Sequence, residues 1–267
     1  MAELTIVLPP ESVIDESVPV PTAVQRLAGG HEIRPVWRNV LGGLTYEVIA
    51  PEVRFFVKYA PDGSGLPLAR EAERLRWAAR YVAVPQVMGE GADETGVWLQ
   101  TRAMNGTSAV TERWRARPET AVEAIATGLR HLHDTLPVEE CPFDWSVERR
   151  LAGKQHHSGD IHPDHGVASL DEALRRVSTP PEIERLVVCH GDPCSPNTLI
   201  GDDGRFAGHV DMASLGVADR WADLAVASWS LSWNYGPGWD ERFFAAYGIE
   251  PDHERIAYYR LLWDFGE

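Results

Sequence analysis

The chain has 267 residues, of which 44% are hydrophobic and 24% are charged. That is enough for a packed core in one large domain or two smaller ones, and it argues against disorder. A net charge of -15 disfavours binding to nucleic acid or an anionic membrane and favours cationic partners. No apolar run is long enough to cross a bilayer, and the N-terminus lacks the features of a signal peptide. The three cysteines, Cys141, Cys189 and Cys194, lack metal-ligand spacing and favour a reduced, cytoplasmic protein.

In chain order, the first part of the sequence predicts short strands around one helix. Residues 1–20 are rich in proline and predict an irregular arm. An apolar stripe at the helical period predicts a helix over Pro67–Val82, although Trp77 lies opposite that stripe. The predicted strands are Val36–Val40, Tyr46–Ile49, Val53–Tyr59 and Val97–Arg102.

The rest of the chain is mainly helical. Residues 152–167 predict a polar loop, whose histidines (His156, His157, His162 and His165) lack ligand spacing. A strand at Leu186–Cys189 and a hairpin of Thr198–Ile200 with Phe206–Val210 interrupt the helices. The predicted helices are Pro118–Leu136, Leu170–Val177, Arg220–Trp233, Asp240–Tyr247 and Asp252–Phe265. Strands first and helices later predict an α+β protein with two lobes, residues 1–103 and 104–267.

The strongest functional motif is HGDPCSPN at His190–Asn197, followed by Asp211 at the end of the hairpin. Phosphoryl transfer needs a carboxylate that accepts or orients the substrate hydroxyl, and hard oxygen ligands for Mg²⁺. The strand before Asp192 and the hairpin after Asn197 bring three oxygen-bearing side chains to one place. This pattern predicts Asp192 as the catalytic base and Asn197 and Asp211 as Mg²⁺ ligands. For Asp192 alone, the alternative is a loop aspartate that bonds its own backbone.

Only two of the 25 basic residues are lysines, and one of them, Lys58, lies in an apolar strand. A buried ammonium group is costly unless a carboxylate pairs with it. On the following helix, Glu71 lies about 60° and Glu73 about 140° from the centre of the apolar stripe. Glu71 is therefore the predicted partner. The alternative is an edge-strand lysine whose charged end reaches solvent.

Together these motifs resemble those of kinase-like phosphotransferases. The spacing H-x-D-x-x-x-x-N with a later Asp is similar to the protein-kinase catalytic set. The HGD form resembles the aminoglycoside phosphotransferase and choline kinase superfamily, and the HGDPC spelling is most similar to streptomycin 3″-phosphotransferases. The resemblance extends to GVADRWADLA at 216–225 and YYRLLWDF at 258–265.

This resemblance implies a protein-kinase-like fold that uses ATP and Mg²⁺. The N-terminal lobe would hold an antiparallel sheet with one helix and bind the nucleotide, and the C-terminal lobe would be helical and catalytic. Asp223 would brace the catalytic loop, and His190 would be structural. The implied nucleotide contacts are Lys58 with Glu71, the glycines Gly42 and Gly43, and the backbone near Thr101 and Ala103.

The resemblance also implies a cationic small-molecule substrate, an aminoglycoside antibiotic, bound by carboxylates for which Asp264 and Glu267 are the candidates. The acid-poor stretch after Asp144 favours streptomycin, with resistance as the outcome. The alternatives are a 3′-phosphotransferase of kanamycin or neomycin type, and a metabolic small-molecule kinase of the same fold. A nucleotide-binding module without catalysis is a further alternative. The expected state is a monomer or weak dimer.

Overall fold

The computed structural model describes residues 18–39, 41–152 and 161–266. The chain divides into two compact units, Met1–Asn105 and Gly106–Glu267. Strands dominate the first unit and helices the second. The predicted α+β class is therefore confirmed.

The N-terminal unit contains a five-stranded antiparallel sheet with the order β1-β2-β3-β5-β4. Its strands are β1 (Glu32–Arg38), β2 (Leu44–Ile49), β3 (Arg54–Pro61), β4 (Val87–Ala92) and β5 (Gly96–Arg102). Strict alternation of buried and half-buried residues along β2 places Tyr46 and Val48 in the core. Helix α1 (Thr22–Ala28) packs Ala23 and Val24 into the same core.

Helix α2 (Leu68–Ala78) packs on β4 and β5 and is shorter than predicted. It ends four residues early because turns take over the backbone hydrogen bonds, with the Tyr81 amide donating to the Ala78 carbonyl. Trp77 is buried although it lies off the apolar stripe, and its ring packs against Tyr81 at 5.2 Å. A pattern based on one apolar stripe therefore underestimated how much of this helix is covered.

The C-terminal unit is built on helices with two small sheets, β6-β8-β9 and β7-β10. Its helices are α3 (Glu112–Arg115), α4 (Pro118–Thr135), α5 (Val147–Leu151), α6 (Leu170–Val177), α7 (Trp221–Tyr235), α8 (Asp240–Tyr247) and α9 (His253–Trp263). Its strands are β6 (Thr107–Ser108), β7 (Leu186–Cys189), β8 (Thr198–Ile200), β9 (Phe206–His209) and β10 (Gly216–Asp219).

Helix α7 lies at the centre of the C-terminal unit, and every residue from Trp221 to Leu231 is buried. It packs on α9, while α4 packs on α8 and on β9. A helix buried on all sides is hydrophobic on all sides, so its few polar residues need partners inside the protein. Two of them, Asp223 and Ser230, accept backbone amides of the loop His190–Asn197. Within the described residues, no helix is both long and apolar enough to cross a membrane.

Candidate active site

The segment His190–Asn197 leaves the end of β7, closes with a short 3₁₀ turn at Ser195–Asn197 and enters β8. Gly191 has a φ of 85°, and a Cβ there would lie 2.2 Å from the carbonyl oxygen of Ser214. Only glycine fits this close approach. Gly191 therefore fixes the backbone conformation that precedes Asp192.

Asp192 and Asn197 are in contact. The Asn197 amide Nδ2 donates to the backbone oxygen of Asp192 at 2.9 Å and to its Oδ2 at 3.2 Å. The other carboxylate oxygen, Oδ1, is buried and has no hydrogen-bond partner among the described residues. Burial is the largest effect on Asp192 and raises its pKa. A hydrogen bond with the Cys194 thiol lowers the pKa, whereas the Asp211 charge raises it, and the overall result is a raised pKa. The unpartnered Oδ1 is therefore an acceptor suited to a substrate hydroxyl.

Asp211 follows β9 and has a φ of 62°, which makes it the one non-glycine in the left-handed region within the described ranges. Such a conformation persists only where its surroundings impose it. The preceding residue, Val210, donates its amide to the Asn197 carbonyl at 3.0 Å, so the two segments are tied together. A carboxylate beside a side-chain amide oxygen is a donor set that Mg²⁺ accepts. The residues present therefore fit the metal that the motif predicts.

Asp223 on α7 binds the backbone of the loop His190–Asn197. Its Oδ2 accepts the His190 amide at 2.6 Å and its Oδ1 accepts the Gly191 amide at 2.9 Å. Burial alone raises the pKa of Asp223, but the bonds and charges of His133 and His190 and the Gly191 amide outweigh it, so the pKa is lowered. The predicted contact between Asp223 and the loop backbone is present.

His133 extends this support. Its Nε2 lies 3.0 Å from Asp223 Oδ2 and its Nδ1 lies 2.9 Å from the Tyr247 hydroxyl, and all of these groups are buried. The sequence motifs assigned no role to His133. The Tyr247–His133–Asp223 chain connects α8, α4 and α7 to the catalytic loop.

Ser230 was missed by the sequence analysis. The Ser195 amide donates to its hydroxyl at 2.9 Å, and that hydroxyl donates to Ser195 Oγ at 3.1 Å. Asn234 adds a contact to the Ser230 hydroxyl at 3.2 Å. Ser230 lies seven residues after Asp223, or two helical turns, so both face the loop. The available signal was this spacing of polar residues in an otherwise apolar helix.

His190 packs under the loop as expected. It is fully buried, its Nε2 lies 3.0 Å from the Val210 carbonyl oxygen, and its Nδ1 accepts the Asp192 amide at 3.3 Å. These contacts connect the loop to the strand end that carries Asp211.

In the N-terminal unit, Lys58 lies on β3 and pairs with Glu71 of α2. Its Nζ lies 2.7 and 2.9 Å from the two carboxylate oxygens. The Glu71 side chain is 4% exposed and that of Lys58 is 24% exposed, whereas Glu73 lies on the exposed face. The predicted choice of Glu71 over Glu73 is confirmed.

The two glycines predicted to cover phosphates lie in the turn between β1 and β2. Asn39 Oδ1 accepts the Gly43 amide at 2.7 Å, and Gly42 has a φ of 85°. Thr101 lies within β5, between its two neighbouring strands. The Ala103 amide donates to the Arg54 carbonyl at 2.9 Å. Because this amide is already in use, the backbone group with which Ala103 could contact the base of a nucleotide is its carbonyl oxygen.

A model of the phosphotransferase enzyme family matches residues 32–259. An aminoglycoside 3′-phosphotransferase from Streptomyces fradiae is 38% identical, over 91% of this chain and 90% of its own length. The chain belongs to this phosphotransferase family. A streptomycin 3″-kinase from Streptomyces griseus is 31% identical, over 80% of this chain and 85% of its own length.

Solved members of the family share the fold. A type VIII aminoglycoside-3′-phosphotransferase superposes with a TM-score of 0.76 at 33% identity, covering 91% of this chain and 97% of its own. The aminoglycoside phosphotransferase APH(3″)-Id from Streptomyces rimosus, solved with ADP and streptomycin, has a TM-score of 0.70 at 26% identity, covering 91% and 96%. The kinase-like two-lobed fold expected from the motifs is confirmed.

The predicted substrate carboxylates have different outcomes. Asp264 follows α9, its side chain is 8% exposed, and it accepts the His162 amide at 2.7 Å and lies 3.0 Å from His165 Nε2. Glu267 lies outside the described residues, as do His156 and His157 of the predicted loop. Asp219 ends β10, and its Oδ1 accepts the Trp221 amide at 3.1 Å at the start of α7.

Proposed function

We propose that this protein transfers the γ-phosphoryl group of ATP to a hydroxyl of an aminoglycoside. The observation that carries the proposal is the buried Asp192 Oδ1, without a partner among the described residues, next to Asn197 and close to the Asp211 charge. The relatives named as aminoglycoside 3′-phosphotransferases, at 38% and 37% identity, supply the substrate class. The ADP and streptomycin bound to a solved relative support a nucleotide donor.

The role of Asp192 follows from its geometry. Oδ1 would accept a hydrogen bond from the substrate hydroxyl and take up its proton. The hydroxyl oxygen would form a bond to the γ-phosphorus while the bond from that phosphorus to the ADP oxygen breaks, and ADP would leave. Oδ2 stays hydrogen bonded to Asn197, which fixes the carboxylate plane. A burial-raised pKa makes the carboxylate a stronger base than an exposed aspartate. A general base of this type contributes roughly 10² to 10⁴ in rate.

Asn197 and Asp211 are the proposed metal ligands. Because the Asn197 nitrogen faces Asp192, its Oδ1 is the atom left for a cation. Magnesium bound there would neutralise charge on the phosphate oxygens. Asp223 and Ser230 would keep these groups in place by holding the loop backbone.

Nucleotide binding is assigned to the N-terminal unit. Lys58 would donate to the α- and β-phosphates while Glu71 fixes its direction. The turn with Gly42 and Gly43 would cover the phosphates, and the backbone at Thr101 and Ala103 would contact the base. A cytosolic location, where ATP is available, is part of the proposal. Cys141, Cys189 and Cys194, all among the described residues, form no disulfide, and this supports the proposal because disulfides are rare in that compartment.

For the acceptor, the 3′-hydroxyl of a kanamycin- or neomycin-type substrate is the first candidate. The relatives with that name have the higher identities, 38% and 37% against 31% for the streptomycin 3″-kinase. Streptomycin is the second candidate, favoured by the HGDPC motif and the acid-poor segment after Asp144. Asp264 stays a proposed substrate carboxylate, although it would have to exchange its contacts to His162 and His165 for a substrate cation.

The test is ADP release coupled to product analysis. The purified protein with Mg-ATP is given kanamycin, neomycin, streptomycin and, as a control from outside the class, choline. NMR of the product then locates the phosphate. A phosphorylated 3′-hydroxyl supports the first candidate and a 3″-phosphate the second. Turnover of choline alone, or of none of the four, would contradict the proposal.

A further inference from the structure

A cavity of about 520 Å³ lies in the C-terminal unit, apart from the catalytic loop. Leu186 at the start of β7 and Val217–Asp219 of β10 line it, together with the segments 141–148 and 180–183 and with Arg150. The catalytic loop follows the other end of β7, and at roughly 3.3 Å per residue the strand separates Leu186 from His190 by about 13 Å. The volume is that of a small-molecule site.

Arg150 lines this cavity and is itself 3% exposed. One terminal nitrogen donates to the Leu262 carbonyl at 3.2 Å, and the guanidinium lies 4.9 Å from the Trp145 ring centre. Its Nε is buried without a hydrogen-bond partner in the described part of the chain. Among the described residues, no carboxylate forms an ion pair with Arg150. Burial lowers the pKa of Arg150 to about 10, so the group stays charged near neutral pH.

The carboxylates around the cavity do not neutralise this cation. Asp144, Glu148 and Glu182 are exposed, so water solvates them. Asp144 accepts the Ser146 amide at 2.8 Å. Asp219 is buried, but its two oxygens accept the amides of Trp221 and Glu184. The charge of the buried Asp223 favours the Arg150 cation from a distance but forms no ion pair with it. A buried cation without a paired carboxylate is unfavourable, so an anion bound to Arg150 would be stabilising.

The rest of the lining is largely apolar. Ile183 is 61% exposed and Leu186 is 47% exposed, which is high for aliphatic side chains of this size. Pro142, Phe143 and Leu262 complete the apolar surface. A ligand with an apolar body would cover these side chains and gain hydrophobic free energy.

We propose that this cavity binds a small organic carboxylate, with the acid group on Arg150 and an apolar body against Ile183 and Leu186. This inference does not depend on the proposed catalytic function. The site would be occupied with or without ATP, because its lining contains none of the proposed catalytic or metal-binding residues.

The experiment measures binding to the whole protein by isothermal titration calorimetry. The probes are 4-phenylbutyrate and its neutral amide, and weak, millimolar affinity is expected. We expect the amide to bind at least about tenfold more weakly, the worth of one hydrogen bond to a charged group. Arg150→Met should weaken phenylbutyrate to the same extent, whereas Arg149→Met, on the exposed side of α5, should not.

Ile183→Asp keeps the test decisive if Arg150→Met does not fold, since Ile183 is at the surface and its replacement leaves the core intact. It should weaken phenylbutyrate by about tenfold through lost apolar contact and like-charge repulsion. Equal affinity for acid and amide, no saturable binding, or equal effects of the Arg149 and Arg150 variants would overturn the proposal.

Discussion

At the scale of single residues, the Lys58–Glu71 pair makes a direct prediction about ATP. Lys58→Met removes the ammonium that would contact the phosphates, so KM for ATP should rise at least about tenfold. Glu71→Gln keeps the shape of the partner but loosens the lysine, and should give a smaller rise. The matched control is Glu73→Gln on the exposed face of α2, which should leave KM unchanged. An unaltered KM for ATP in Lys58→Met would remove Lys58 from the nucleotide site.

Ser230 is predicted to position the catalytic loop without touching substrate. Ser230→Ala removes the acceptor of the Ser195 amide, and kcat should fall about tenfold for roughly 1.4 kcal/mol of lost positioning. KM for ATP should stay close to the wild-type value. Ser230→Cys should recover part of the loss because a thiol is a weak hydrogen-bonding group.

The control for Ser230 is Ser232→Ala on the same helix, whose hydroxyl donates to the Trp229 carbonyl of that helix at 2.7 Å. If the role of Ser230 is purely structural, Ser230→Ala and Ser232→Ala should both lower the melting temperature and leave kcat per folded molecule unchanged. That outcome would contradict the positioning role.

Sequence reasoning at this scale succeeded where the partner is near in the chain or fixed by a helix. Glu71 could be chosen over Glu73 because a helical wheel separates them. His133 and Ser230 could not be found in this way. Their partners, Asp223 and Ser195, are 90 and 35 residues away, and only tertiary packing brings them together.

At the scale of elements, α9 depends on its N-cap. Asp252 Oδ1 accepts the amides of Glu254 at 3.1 Å and Arg255 at 3.0 Å. Asp252→Ala should lower the free energy of unfolding by about 1 kcal/mol near neutral pH. Chemical denaturation of both proteins measures this difference.

The same cap should be sensitive to acid. The pKa of Asp252 lies below the ordinary 3.8. Hydrogen bonds from the Arg255 amide, the Arg255 side chain and the Glu254 amide lower it by more than burial raises it. A lowered folded-state pKa means that the contribution is fully present above the unfolded pKa and is lost as pH falls through the folded one. The stability difference between wild type and Asp252→Ala should therefore shrink below about pH 4. A difference that stays constant down to about pH 2 would exclude this origin.

The predicted elements were most accurate where the apolar pattern was strong. Helix Leu170–Val177, helix Asp240–Tyr247 and strand Leu186–Cys189 have the predicted bounds. Strand β4, with the sequence VMGEGA, was missed because two glycines lower its strand propensity. It forms because β5 pairs with it in an antiparallel ladder, with one register shift between Val87 and Gly89, and local sequence does not reveal this pairing.

At the scale of the whole molecule, the net charge of -15 should attract a polycationic substrate and repel ATP. The Debye length falls from about 30 Å at 0.01 M salt to about 8 Å at 0.15 M. Over that range KM for the aminoglycoside should rise, whereas KM for Mg-ATP should stay constant or fall. The nucleotide thus serves as an internal control. A KM for the aminoglycoside that does not change with salt would mean that the overall charge has no part in substrate capture.

Asp192 Oδ1 is the proposed acceptor of the substrate hydroxyl. The most direct measurement compares turnover and ATP affinity of wild type, Asp192→Asn and a control, Asp203→Asn, in the exposed β8–β9 turn. We expect kcat to fall by roughly 10² to 10⁴ in Asp192→Asn while the Kd for ATP stays within about a factor of two. The control should match wild type in both. Near-wild-type turnover in Asp192→Asn, with ATP still bound, would show that Asp192 is not the base.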